Sequence, residues 1–201
     1  MDATERKNQI LKCSKKLFSE HGYYNTQIAD IIREAGIARG TVYQYFKHKD
    51  HIFSTLIENF YNDWQQSISL NLGQHDLNSM NPRTYLYYRV KNTLEFLESD
   101  RDLCNIVLRM GLGLQEDFEK LILRFEQKII NLITEDLKLG IQFHNIPEDL
   151  DLEFTANMIA GSLFRISYHY FVVKDARKKD VEDISRKVLE MLSPAIFIKR
   201  S

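Results

Sequence analysis

A chain of 201 residues, 44% apolar and 27% charged, is long enough to bury a sizeable core and has the make-up of a soluble globular protein. Its formal net charge of −1 excludes a generally basic nucleic-acid coat. That total hides an asymmetry, because residues 1–51 hold nine Lys or Arg against six Asp or Glu (+3) and the rest hold eighteen against twenty-two (−4). A basic head on an acidic body is the pattern of a chain that meets a polyanion with its head alone. Two cysteines, Cys13 and Cys104, are too few for a disulfide scaffold and lie in no zinc-like spacing. With no apolar signal core near Met1 and no run of about 20 apolar residues, a cytoplasmic protein without a membrane partner is expected.

Eight Gly and three Pro punctuate segments that follow a 3.6-residue apolar period, which predicts an all-α fold of about nine helices. The first runs from about Thr4 to His21, with Ile10, Cys13, Ser14, Leu17 and Phe18 on one face and Gly22 at its end. In the second, Ile28, Ile31, Ile32 and Ala35 form one stripe, Asn25 or Thr26 can cap the start, and Gly36 supplies a left-handed exit. The third, Arg39 to Phe46, buries only Val42 and Phe46 and leaves Arg39, Gly40, Thr41, Tyr43, Gln44, Tyr45 and Lys47 outside. Such a helix is built to touch something polar and anionic.

From Asp50 a long fourth helix carries Ile52, Phe53, Leu56, Ile57, Phe60, Trp64 and Ile68, and residues 71–81 read as a loop. Asn81-Pro82 is a cap followed by proline at the first helical position, opening a fifth helix with Leu86, Val90, Leu94 and Leu97 inward. A sixth spans about Arg101 to Met110 and ends at Gly111-Leu112-Gly113. A seventh runs from about Gln115 to Leu139, where Gly140 stops it. Asp149 or Asp151 caps an eighth that reaches about Lys174. The ninth, Asp180 to about Ile198, buries Val181, Ile184, Val188, Met191 and Leu192, with Pro194 distorting or ending it.

Residues 6–53 resemble the DNA-binding domain of the TetR family of bacterial transcriptional regulators. The residues that carry the likeness are Ile10-Leu11, Leu17-Phe18, Gly22-Tyr23, Thr26, Ile31, Ala35-Gly36-Ile37, Gly40 to Phe46 and Lys49; Gln27, Ile32 and Ala38 depart from the usual pattern. The resemblance implies a helix-turn-helix domain over 1–51 and a helical effector-binding and dimerisation domain over 52–201. It also implies a homodimer whose third helices enter successive major grooves of a palindromic operator in double-stranded DNA. Thr26, Gln27, Arg39, Gly40, Thr41, Tyr43, Gln44, Tyr45, Lys47 and Lys49 are the candidate contacts. Arg39 and Gln44 suit guanine and adenine edges, and the tyrosines, lysines and the amides near Thr26 suit phosphates, with Tyr43 and Tyr45 open to a packing role as well.

For the body the resemblance implies a small effector, of the lipophilic or fatty acyl thioester kind. Phe60, Trp64, Arg89, Cys104, Arg109, Phe125, Phe164, Arg165, Tyr168 and His169 are candidates because each is aromatic or polar within an apolar helical face. A dimer face is expected on the last two helices, through Ala156, Ala160, Gly161, Ile184, Val188 and Met191, with packing inside the chain as the alternative use of the same residues. The whole describes a ligand-responsive regulator acting as a repressor. The alternative is a helical interaction module with a non-functional DNA-binding head. No His-Glu-x-x-His pair, phosphate-cradling glycine loop or di-metal pattern is present, so neither enzyme activity nor a cofactor or metal is expected.

Overall fold

The computed structural model describes residues 2–72, 81–110 and 116–197, except the side chains of 68–72, 109, 110, 116 and 117. Every regular element among the described residues is helical: α1 (Ala3–His21), α2 (Ile28–Ala35), α3 (Arg39–Tyr45), α4 (Lys49–Leu72), α5 (Pro82–Ser99), α6 (Arg101–Met110), α7 (Glu116–Gln142), α8 (Leu152–Ser167) and α9 (Lys178–Ile196), with a π-wound segment, Tyr168–Val173, after α8. The rest of the expected 71–81 loop, the break at Gly111 to Gly113 and an end near Ile198 lie outside the described residues. None of the described helices is long and apolar enough to cross a membrane.

Two compact units share the chain, Met1–Asn62 with Asp102–Ile122, and Asp63–Arg101 with Leu123–Ser201. They do not coincide with the segments 1–51 and 52–201. The reason lies in packing between residues far apart in sequence. In the first unit Asn105 Nδ2 donates to the Ser19 carbonyl at 3.0 Å, and the Phe118 ring meets Tyr23 and Phe53 edge-on, at centroid distances of 4.7 and 4.8 Å. Phe18 joins the same cluster at 5.6 Å from Phe53. Edge-on aromatic pairs at these distances add attraction to the apolar area they bury.

Local signals account for most helix ends in this unit. Asp2 and Glu5 form a reciprocal capping box, each carboxylate accepting the other residue's amide at 2.8 Å. Gly36 leaves α2 in the left-handed region, φ 62° and ψ 32°, as the turn requires. The start of α2 differs from expectation: its cap position is Gln27, whose amide donates to Asp30 at 2.9 Å, and neither Asn25 nor Thr26 caps it. Both face backward instead. Asn25 donates to the His21 carbonyl and the Thr26 hydroxyl to the carbonyls of Gly22 and Leu17, closing the end of α1.

In the second unit α5 lies against α9 and α8. Val90, Leu94 and Leu97 are buried on α5, as are Ile159 and Leu163 on α8 and Val181, Ile184, Val188, Leu192 and Ile196 on α9. Asn81 caps α5 by accepting the Arg83 amide at 2.9 Å, with Pro82 at the first helical position. Gly140 does not stop α7, which continues to Gln142. A Cβ at this position would stand 2.8 Å from Ile146 Cγ1, so the glycine gives room for Ile146 to pack on the helix backbone. Met191, expected inside, is 80% exposed.

Candidate functional sites

The first candidate surface is α3 with the residues around it. Val42 and the Phe46 that follows α3 are fully buried and hold the helix down, while Arg39, Gly40, Tyr43, Gln44, Lys47 and Gln27 are exposed and Thr41 and Tyr45 half-buried. Arg39 lies over the Tyr43 ring at 5.6 Å, an arrangement that orients a guanidinium without neutralising it. A Cβ on Gly40 would meet nothing within 4 Å, so nothing in the chain itself demands a glycine there. Exposed arginine and glutamine on a short helix pinned from behind can reach base edges, and exposed lysine can reach phosphates.

Two expected contacts belong to the scaffold. Thr26 is buried and its hydroxyl is spent on backbone carbonyls. Lys49 Nζ donates to the carbonyls of Tyr23 and Thr26 at 2.7 and 2.9 Å and stands 4.1 Å over the Tyr23 ring. Burial lowers its pKa from the ordinary lysine value. The ammonium ties the α1–α2 connection to the start of α4. Its neighbour Asp50 accepts from the Tyr23 hydroxyl, whose pKa is pushed up chiefly by burial and then by Asp50. Sequence reasoning passed over Tyr24, 53% exposed and edge-on to Tyr23 at 5.3 Å, and over exposed His48. The tyrosine pair between Gly22 and Asn25 was the available signal.

The second candidate is a cavity of about 350 Å³ inside the second unit, lined by α5, α7, α8 and the end of α9. Leu86 and Val90 of α5, Ile129, Leu132, Ile133 and Leu137 of α7, and Ile159, Leu163 and Ile196 make its walls apolar, with Trp64 of α4. One charged cluster interrupts them, and Thr93 and Asn145 add two further polar residues to the lining. The Tyr85 hydroxyl donates to Asp136 Oδ1 at 2.7 Å, Arg89 Nη2 to the same oxygen at 2.8 Å, and Arg89 Nε to the Tyr85 oxygen at 3.0 Å. The Arg89 and Asp136 side chains are only 16% and 19% exposed. Burial, followed by the Asp136 charge, pushes the Tyr85 phenol up to about 12. Leu139 and Phe143 line the cavity yet are also exposed, so it opens to the surface beside them.

Of the ten expected ligand residues, Trp64 and Arg89 line this cavity. Phe125 meets Trp64 edge-on at 6.1 Å and stacks on Phe164 at 6.5 Å, and neither phenylalanine is among the lining residues. Phe60 and Cys104 are buried in the first unit. Arg165, Tyr168 and His169 cluster at the end of α8, with Arg165 over Tyr168 at 5.9 Å. The side chain of Arg109 lies outside the described residues. Tyr85 and Asp136 were missed, although Tyr85 and Arg89 are one turn apart and Asp136 interrupts the Leu132, Ile133, Leu137 face.

The expected dimer residues divide. Ala156, Ala160, Ile184 and Val188 are buried within the chain, where small and β-branched residues let α8 and α9 pack on α5. That is the alternative use expected for these residues, packing inside the chain. Gly161 and Met191 remain exposed, and α8 also presents Phe154 (66% exposed) and Met158, about two turns and one turn before Gly161.

The family model for bacterial regulatory proteins of the tetR family matches residues 10–56. The chain is 25% identical over 195 residues to the fatty acid metabolism regulator protein of Bacillus subtilis (strain 168), covering 95% of each. It matches the crystal structure of the transcriptional regulator FadR from Bacillus subtilis in complex with stearoyl-CoA with a TM-score of 0.76 at 25% identity, over 94% of this chain and 98% of that one. A bacterial regulatory protein in the tetR family from Rhodococcus RHA1 matches over 100% of both chains with a TM-score of 0.79, a likeness of fold alone at 15% identity. The pinned, solvent-facing α3 and these matches lead to one identity: the chain belongs to the TetR family of helix-turn-helix transcriptional regulators.

Proposed function

We propose that this chain is a ligand-responsive repressor, which binds a palindromic operator as a homodimer and is released when a lipophilic effector fills the cavity of the second unit. The observation that carries the proposal is the presence, in one chain, of a recognition helix with exposed Arg39, Tyr43 and Gln44 and of a largely apolar cavity with one charged cluster. The cavity sits at the lower end of the roughly 300–1,000 Å³ usual for ligand sites. The stearoyl-CoA bound by one structural relative supports an acyl or similarly apolar effector. An effector can release DNA only by binding the released form more tightly, so it must favour a cavity shape that the operator-bound dimer disfavours.

The exposed stripe Phe154, Met158 and Gly161 on α8, with Met191 on α9, is the proposed dimer face. A Cβ on Gly161 would meet nothing within 4 Å in the chain, so its bareness serves an approach from outside. Two copies related by a two-fold axis would cover the stripe with itself. The test is operator binding by the purified protein on a fragment of its own promoter. A steep loss of affinity with salt is expected, and Arg39→Ala should weaken binding by about tenfold to a hundredfold. Met158→Glu should give a monomer by mass that no longer binds. Absent or salt-insensitive binding would sink the repressor, and an unchanged dimer mass would reject the face.

A further inference from the structure

We infer that the cavity selects a lipophile ending in an uncharged hydrogen-bonding group, an alcohol or an ester or thioester carbonyl, and turns away the free carboxylate; this rests on the cavity's being the effector site. The carrying geometry is the Tyr85, Arg89 and Asp136 cluster. Both hydrogen bonds to Asp136 end on Oδ1, and Arg89 donates through Nε and Nη2. Among the described residues, Asp136 Oδ2 and Arg89 Nη1 have no hydrogen-bond partner. The cluster therefore offers an acceptor and a donor to whatever enters.

Its charge is already closed. The guanidinium is matched by the carboxylate, the phenol is held neutral, and Arg89 and Asp136 are the only base and the only acid among the described lining residues. An alcohol can donate to Oδ2 and accept from Nη1, and an ester or thioester carbonyl can accept from Nη1, without changing the charge of the site. A fatty carboxylate would set a second negative charge beside Asp136 within walls of Leu, Ile and Val, with no second cation among the described lining residues to compensate it. Burying an uncompensated ion costs far more than burying a neutral group that keeps its hydrogen bonds.

The chain has a single tryptophan, and Trp64 lines the cavity, so its emission reports occupancy directly. Dodecanol, methyl laurate and laurate, titrated at mildly alkaline pH, form a matched series. The alcohol and the ester should change Trp64 emission saturably, at concentrations at least about tenfold below those laurate needs. In Asp136→Asn, which frees the Arg89 charge, the ratio should move toward laurate by about tenfold or more, since a charged hydrogen bond is gained. Tyr85→Phe keeps the charge balance and should retain the wild-type preference. Laurate binding as tightly as dodecanol in the wild type, or an unchanged ratio in a folded Asp136→Asn, overturns the inference alone. If no probe changes the emission or the thermal midpoint, the effector role of the cavity falls with it.

Discussion

The two units treat their polar side chains in opposite ways. In the first, α3 turns Arg39, Tyr43 and Gln44 outward and keeps only Val42, with the following Phe46, for its own anchorage. In the second, α5 and α7 turn Tyr85, Arg89 and Asp136 toward a cavity and pair them with one another. A surface site can leave its donors to water until a partner comes. An interior site must pair them within the chain, because an unpaired buried polar group costs about 1–3 kcal/mol. Polar residues on α3 should thus affect binding and leave stability alone, and polar residues in the cavity should affect both.

The largest expected departure from that division is Lys49. It belongs to the DNA-binding unit, yet its ammonium closes the carbonyls of Tyr23 and Thr26. Lys49→Met keeps the stem and removes the donors, and should lower unfolding stability by about 2–3 kcal/mol. Arg39→Ala should stay within about 0.5 kcal/mol, as exposed substitutions usually do. Denaturant midpoints at one fixed protein concentration would compare the two. Equal midpoints would return Lys49 to the list of free phosphate contacts.

Those two residues also show where legibility in the sequence ends. The all-helical fold, the Asn81-Pro82 start and the left-handed Gly36 are local signals, set by neighbours within one turn, and they are visible in the chain as written. So is the exposure of Arg39 and Gln44, which follows from helical spacing about Val42 and Phe46. The partners of Lys49 lie 23 and 26 residues away, and those of Asp136 lie 47 and 51 away. No period in the sequence encodes such meetings. The small residues of α8 mislead for a related reason: Ala156 and Ala160 signal close helix packing but not whether the second helix comes from the same chain. Gly140 is similar, because a glycine that admits Ile146 looks on paper like one that ends a helix.

A smaller effect should sharpen the account of the cavity. Arg89→Met leaves the Asp136 carboxylate with Tyr85 alone in a largely apolar space and should cost about 1–2 kcal/mol, less than a fully buried pair would, since both side chains keep some exposure. The double variant Arg89→Met, Asp136→Leu removes both charges and should recover most of that loss, because apolar replacements often match a buried ion pair. Thermal or denaturant unfolding of these two variants and of Asp136→Leu would form a cycle. A double variant as unstable as the sum of the singles would mean that the cluster is a structural tie that apolar packing cannot replace.

The smallest predicted effect comes from another half-buried acid of α7, Glu126. Unlike Asp136, Glu126 has no hydrogen-bonding or ionic partner among the described residues, and burial alone raises its pKa above the ordinary 4.5. A carboxyl whose pKa is higher folded than unfolded holds its proton more tightly in the folded state. Above the raised value both states are ionised, and the folded one carries the full desolvation penalty. As pH falls through the raised value toward 4.5 the folded state takes up its proton first, and the penalty shrinks. Glu126→Gln should therefore raise the thermal midpoint slightly at neutral pH, and the gain should fade as pH falls through the raised value and be gone below the ordinary glutamate value. A midpoint that drops at neutral pH would mean that the carboxylate is compensated after all, and the division between paired and unpaired acids on α7 would not hold.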